Sequence, residues 1–450
     1  MTTSKRRLLT STLLIAVFTA LLNQTLMITA LPVMMKTFQA SLSLVQWLTT
    51  GYVLVLGIIT PVAATLYERF STRRLFLILI GGFSIASALG MVAPNFYILL
   101  AARLIQAMMG GVLMTFAQIA LLAMFPDNQR GTILGLFSMV VSAGPAVGPT
   151  FAGILLARFS WHSLFMVVFV VMLLVGLIGF ITLPNLKPAK IIKIDWWSML
   201  LSFFGMGILL IGISALQDQT LIGTIEILGG VSLIAIFARR QLSATAPLLN
   251  LKLLRQGTFL RMTIVVMLNF AIMMGTETIL PVLLETHRGY SSMTTGLIML
   301  PGALANLILA PIVGRLYDHY GLKWLLISGL ILQIIAFIPL WVAATDTSLA
   351  WIIIGYTLRM ASCALITSVT ITESLASFTG TSLSHGTTLS NTGRQVAGSL
   401  GNTLLVWALN MMPQITWGFR AAMLLTMIGF FFMVILCWQE LDIASKRVSH

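Results

Sequence analysis

Along the chain, stretches of about twenty apolar residues alternate with short polar breaks. A run of that length matches the hydrocarbon thickness of a bilayer, so each is read as a membrane-spanning helix. Fourteen are expected, near 8–31, 45–66, 75–93, 97–124, 131–157, 163–183, 197–217, 221–239, 258–285, 293–316, 324–345, 349–373, 387–411 and 418–438. The weakest patterns are the eighth, which contains Glu226, and the thirteenth, which contains Arg394. The first run holds Asn23 and Gln24 and is followed by no small-residue cleavage site. It is read as a retained helix rather than a cleaved leader.

Composition strengthens this picture. The chain is 58% hydrophobic and 8% charged, with mean hydropathy +1.01. Soluble domains are about 25% charged, so an integral membrane protein is expected. The net charge of +14 does not point to nucleic acid, because the bases are not spread evenly. With the N-terminus inside, the cytoplasmic breaks hold Lys5, Arg6, Arg7, Arg69, Arg73, Arg74, Arg130, Lys187, Lys190, Lys193, Arg239, Arg240, Lys252, Arg255, Arg261, Arg315, Lys323, Lys446 and Arg447. The outer breaks hold Lys36, Arg158, Arg288 and Arg420. This bias sets topology by the positive-inside rule. An even number of spans puts both termini in the cytoplasm, and the basic excess attracts anionic lipid.

Candidate chemistry narrows the class further. Cys363 and Cys437 lie inside apolar runs, and the five histidines form no metal-ligand or catalytic pattern. There is no Walker-type glycine loop, so ATP is not expected to drive the protein directly. No metal or cofactor is expected. A membrane-embedded enzyme would call for a His or Asp/His constellation, and none is visible.

One short charged pattern occurs twice. Thr65 opens TLYERFSTRRLFL and Gly314 opens GRLYDHYGLKWLL, which places Glu68 and Asp318 in matching loops. Repeats within a membrane protein mark a transporter of two related halves, with its substrate site between them. The halves are expected at 1–185 and 257–450, with two inserted helices and their linkers at 186–256.

These loops resemble the signature of the major facilitator superfamily, and the chain as a whole resembles its fourteen-span drug:proton antiporters, of the Gram-positive multidrug and lincomycin-resistance type. Gly314, Asp318 and Gly321 keep the loop pattern; Ala64, Glu68 and Ser71 depart from it, while Arg73 and Arg74 are kept. The first run reads LNQTLMITALP, with Asn23 where that group has an aspartate. Arg103 to Gly111, and HGTTLSNTGRQVAGSLG from His385, resemble two further blocks. In the fifth run Gly135, Gly144, Gly148-Pro149 and Gly153 fall on the antiporter spacing, with Ala152 for one glycine. Such glycines let another helix approach to backbone distance, and Pro145 and Pro149 bend the helix. A helix of this kind suits one half rocking against the other.

The resemblance implies an all-α fold of two six-helix bundles plus two inserted helices, in the bacterial cytoplasmic membrane and acting as a monomer. It also implies that spans one, four, nine and twelve line a central cavity. Asn23, Gln24, Arg103, Gln106, Gln118, Asn269, Glu277 and Arg359 fall on those spans. The repeat relates Arg103 to Arg359 and Asn23 to Glu277. Glu277 lies eight residues before Glu285, about 12 Å deep at 1.5 Å per residue. Ionisable groups at such depth persist where they face water or a partner, so Glu277 is the expected proton-coupling acid, with Arg359 and Arg103 as partners. A permanent Glu277–arginine pair is the structural alternative. Methionines and phenylalanines suit apolar, organic-cation substrates, with Phe116, Phe270 and Met273 as expected contacts. The function expected is proton-driven efflux of lipophilic, often cationic compounds. The competing readings are a dedicated carrier of one metabolite and a membrane-embedded enzyme.

Overall fold

The computed structural model describes residues 3–186, 195–215, 220–244, 247–342 and 348–448. Lys187, Lys190 and Lys193 lie outside these residues, as do the side chains of Pro145, Pro149, Lys446 and Arg447. The described chain is helical throughout, because lipid leaves each backbone amide to be satisfied within its own helix. Twelve helices are long and apolar enough to span a bilayer. Arg130–Arg158 and Gly380–Asn410 bring the number of long helices among the described residues to fourteen.

The first half holds α1 (Thr3–Phe38), α2 (Trp47–Arg69), α3 (Thr72–Met91), α4 (Phe96–Met124), α5 (Arg130–Arg158) and α6 (His162–Thr182). Pro61 tightens the middle of α2 into a 3-10 turn. The inserted pair is α7 (Trp196–Ala215) and α8 (Thr220–Ser243). The second half holds α9 (Gly257–Val282), α10 (Ser292–Tyr320), α11 (Leu322–Val342), α12 (Leu349–Leu375), α13 (Gly380–Asn410) and α14 (Ile415–Val448).

One boundary differs from the sequence reading for a physical reason. α13 begins seven residues before the expected 387, and its hydropathy is too low to mark it as a span. Its polar residues, including Ser384, His385, Thr388, Asn391 and Arg394, are buried against protein instead of lipid. The N-terminal half of the helix therefore needs no apolar surface, while Leu400, Leu404 and Trp407 of the other half are exposed.

Both chain ends lie at one face, which also carries the two repeated loops. Arg6 packs over the Phe125 ring at 4.8 Å, and Glu440 pairs with Arg261 at 2.6 Å. At this basic face the halves are joined by one apolar cluster. It takes Leu122 and Leu134 from the first half, Leu375, Leu383 and Leu389 from the second, and Leu248, Leu249 and Leu253 from the linker after α8. Toward the opposite face, the core around Leu283 and Phe419 draws only on second-half helices. The molecule is therefore closed at the basic face.

Two helix crossings seal the boundary, α5 with α10 and α2 with α13. At the first, Gly131 and Gly135 of α5 meet Gly314 and Ala310 of α10 at backbone distance. The other glycines of the antiporter spacing act differently from the expectation. Gly144 and Gly148 face Leu21 and Thr25 of α1, within the same half, and nothing lies within 4 Å of a side chain built at Gly153. The second half repeats this arrangement, with Gly401 of α13 against Ala271 of α9. Gly144 and Gly148 thus pack the first and fifth helices of the first half together, as Gly401 does in the second, whereas Gly131, Gly135 and Gly314 form the close contact between the halves.

Candidate functional site

The repeated acids each reach across the boundary to the start of a helix in the other half. Asp318 accepts the amides of Gly131 and Thr132 at 2.8 Å each, and the Thr132 hydroxyl at 2.5 Å. Those amides are orphan donors of the first turn of α5, at the positive end of its dipole. Glu68 accepts the Ser384 hydroxyl at 2.9 Å and lies 3.4 Å from Nε2 of His385 on α13. Arg130 adds a third tie, donating to the carbonyls of Leu375 and Ala376. Gly321 ends α10 at φ 71°, in the left-handed region that favours glycine. Ser71, its counterpart, is extended at φ −61° and needs none. Arg73 and Arg74 are not part of the clasp. Arg73 donates to the Phe180 carbonyl and packs over that ring, which ties α3 to α6. Arg74 lies over Phe70.

Within the first half, a buried polar network surrounds Arg103. Its guanidinium donates to the carbonyls of Leu48 and Asn23 and to Oε1 of Gln106, and it stacks on Tyr52 at 4.3 Å. The Asn23 amide also donates to Gln106, and Gln106 donates to Ser87. The polar atoms of Asn23 and Gln106 therefore hold an arginine, where the sequence reading gave them to substrate. Gln24 beside them is half-buried.

Phe116 calls for a second correction. It is fully buried and packs against Tyr67 and Phe76 in the core of its half, so it faces no cavity. Gln118 instead joins the halves: Asn391 of α13 donates to Gln118 at 2.9 Å and to Thr115 at 3.2 Å.

The second half builds its own network around Cys363. The Asn269 amide donates to Thr367 at 2.8 Å and approaches the Cys363 sulfur at 3.4 Å, while the thiol approaches the Met273 sulfur at 3.1 Å. Arg359 donates to the Ile272 carbonyl at 3.4 Å. Arg103 and Arg359 are thus equivalent, each reaching a carbonyl on the first helix of its half. Those carbonyls, of Asn23 and Ile272, precede Glu68 and Asp318 by 45 and 46 residues. Glu277 is then one turn beyond the counterpart of Asn23, a shift from the pairing read in sequence.

Glu277 is partly exposed, within electrostatic reach of Tyr356 and Cys363. Among the described residues no hydrogen bond or ion pair joins it to Arg359 or Arg103, so the permanent pair is absent here. The other acids read in the spans are placed otherwise. Glu373 accepts the Tyr317 hydroxyl at 2.5 Å, and Glu226 packs beside Gly212 in the inserted pair.

Sequence reasoning missed Ser384, His385, Asn391 and Arg394 as working residues. The signal was present in HGTTLSNTGR, because Asn391 and Arg394 share a helix face at i, i+3. The low hydropathy of the run masked it.

The chain also has relatives. A family model described as Major Facilitator Superfamily matches residues 13–402. An uncharacterized MFS-type transporter, YcnB, of Bacillus subtilis (strain 168) is 37% identical over 406 residues, covering 89% of this chain and 86% of that protein. The lincomycin resistance protein LmrB of the same organism is 33% identical over 409 residues, covering 88% and 83%. Among solved structures, the human organic anion transporter MFSD10 superposes with TM-score 0.70 at 14% identity, covering 95% of this chain and 99% of that one, a likeness of fold alone. With two six-helix halves, a doubled loop at their seam and a family match across most of its length, the chain belongs to the Major Facilitator Superfamily of membrane transporters.

Proposed function

We infer that this transporter exports lipophilic small molecules in exchange for protons, by alternating access between its halves. The positive-inside bias makes the basic face cytoplasmic. The conformation described is then closed to the cytoplasm, held by the clasps at Asp318 and Glu68. The kinship with a protein named for lincomycin resistance supports export of drug-like compounds.

Glu277 carries the coupling part of this reading. It is a carboxyl on a core helix, distant from the closed face, partly exposed and free of any ion pair among the described residues. A proton arriving from outside neutralises it there. After the halves exchange faces, the proton leaves to the cytoplasm and substrate takes its place. The drive is the proton gradient, without ATP.

The test uses inside-out membrane vesicles holding the full chain and three lipophilic dyes, one cationic, one neutral and one anionic. Uptake of at least one dye should follow the proton gradient and stop when the gradient is collapsed. Undiminished uptake after collapse, or no uptake of any dye above empty membranes, contradicts the reading.

A further inference from the structure

Among the described residues three buried arginines, Arg103, Arg359 and Arg394, lie well inside their helices, and they are not equally provided for. Arg103 directs its donors to two carbonyls and a glutamine. Arg359 has one long bond to Ile272. Arg394, on α13, is 4% exposed and makes no hydrogen bond or ion pair among the described residues. Its guanidinium lies over the Phe270 ring at 5.2 Å, and its buried Nε has no partner.

A guanidinium cannot shed its charge. Leaving it buried without an acceptor is strongly unfavourable, and in membranes such groups persist at pathways and binding sites. The protein has little with which to answer it. Glu68, Glu373 and Glu440 are held by Ser384, Tyr317 and Arg261, and Glu226 sits in the inserted pair. Among the described acids within the helical core Glu277 remains, one carboxylate for two under-served arginines. Even if it turned to one of them, the other would stay unmatched. An anion from outside the chain completes the balance.

The surroundings limit what kind of anion. Phe270 lies under the Arg394 guanidinium and Met267 packs on the adjacent Gly393, both partly exposed, which gives Arg394 an apolar neighbourhood. A highly polar dianion such as a nucleotide would lose its hydration there without recovering it, whereas a single carboxylate meets the guanidinium fork with two parallel bonds. An attached apolar body is at home on phenylalanine and methionine.

We propose that Arg394, backed by Phe270, binds the anionic head of the transported molecule, and that the substrates are lipophilic monocarboxylates. This deepens the exporter reading and rests on it. The position also joins binding to movement. Asn391, one turn before Arg394, makes the hydrogen bonds to Gln118 and Thr115 that cross between the halves. An anion that draws on Arg394 therefore acts on the helix that holds the halves together.

The probes are dansyl-labelled undecanoic acid, its uncharged primary amide, and ethidium. Binding is read by fluorescence on the purified full-length protein, and transport in proteoliposomes under a pH gradient. The acid should bind at least tenfold more tightly than the amide. Arg394→Gln should remove most of that difference while leaving amide binding unchanged, and Arg394→Lys should restore part of it. If Arg394→Gln does not fold, the acid–amide comparison on the unaltered protein still decides. Equal binding of acid and amide overturns the proposal, as does an acid preference that survives Arg394→Gln. Gradient-driven transport of ethidium but not of the acid defeats this proposal and leaves the exporter reading intact. Acid binding lost with Arg394 but never coupled to the gradient does the reverse.

Discussion

Asp318 holds Thr132 across the boundary between the halves, taking its amide at 2.8 Å and its hydroxyl at 2.5 Å. Glu68 makes the corresponding reach to Ser384, with a single hydrogen bond at 2.9 Å and a histidine beside it. The doubled loop is thus a pair of clasps on one face, of unequal strength.

Neutralising either acid weakens the closed face. Hydrogen bonds to a charged group contribute about 1.5–3 kcal/mol, which shifts a two-state balance roughly ten- to a hundredfold. Asp318→Asn should slow transport more than Glu68→Gln, because it weakens three bonds at a helix start. Initial rates at matched expression measure this. Full activity in both variants would remove the clasps from the transport cycle.

Glycines at the contact between the halves and glycines within one half should respond differently to substitution. A methyl at Gly314 points at the Gly131 carbonyl, so Gly314→Ala should keep the basic face from closing. Transport should fall while the protein still inserts. Gly148→Leu instead collides with Thr25 inside one half, an overpacking that costs about 1–3 kcal/mol of stability. Gly153→Ala meets nothing within 4 Å and should be silent. Melting temperature and transport rate, measured together, sort the three. Loss of activity at Gly153 with none at Gly314 would reverse the assignment.

Much of this was legible in the chain, for identifiable reasons. Helices facing lipid must be apolar along their length, so their runs show plainly. The clasps show because an acid among bases is conspicuous in such a sequence. α13 is different: its N-terminal half, through Arg394, is covered by protein, so its polarity hid its start and the setting of Arg394. The glycine spacing announced close packing, but spacing cannot say which helix approaches, and Gly148 met α1. Phe116 looked like a cavity wall because its helix was right; its face was wrong. Asn23 and Gln106 looked free for substrate because hydrogen bonds over 83 residues leave no local trace.

The inserted pair is fastened by a charge clasp that should ignore physiological pH. Arg240 and Ser198 donate to Asp195, just outside the membrane span, and hold its carboxyl down to about 2. A depressed carboxyl stabilises above its unfolded value, about 4, and loses that effect only as pH falls toward 2. Asp195→Asn should lower the melting temperature slightly, on the order of 1 °C for an exposed pair, and equally at pH 5 and pH 8. A difference that disappears at pH 5 would contradict this.

The central claim is that Glu277 couples the proton to transport, and one measurement bears on it most directly. Purified protein in proteoliposomes is given a sudden pH gradient and a dye that the unaltered chain concentrates. Glu277→Gln mimics the protonated acid. It should bind the dye normally and exchange it between compartments, yet fail to concentrate it under any pH gradient. Glu277→Asp should retain part of the accumulation with a displaced pH optimum. Concentration of dye by Glu277→Gln against its gradient, driven by pH alone, would contradict the account and move the coupling site elsewhere.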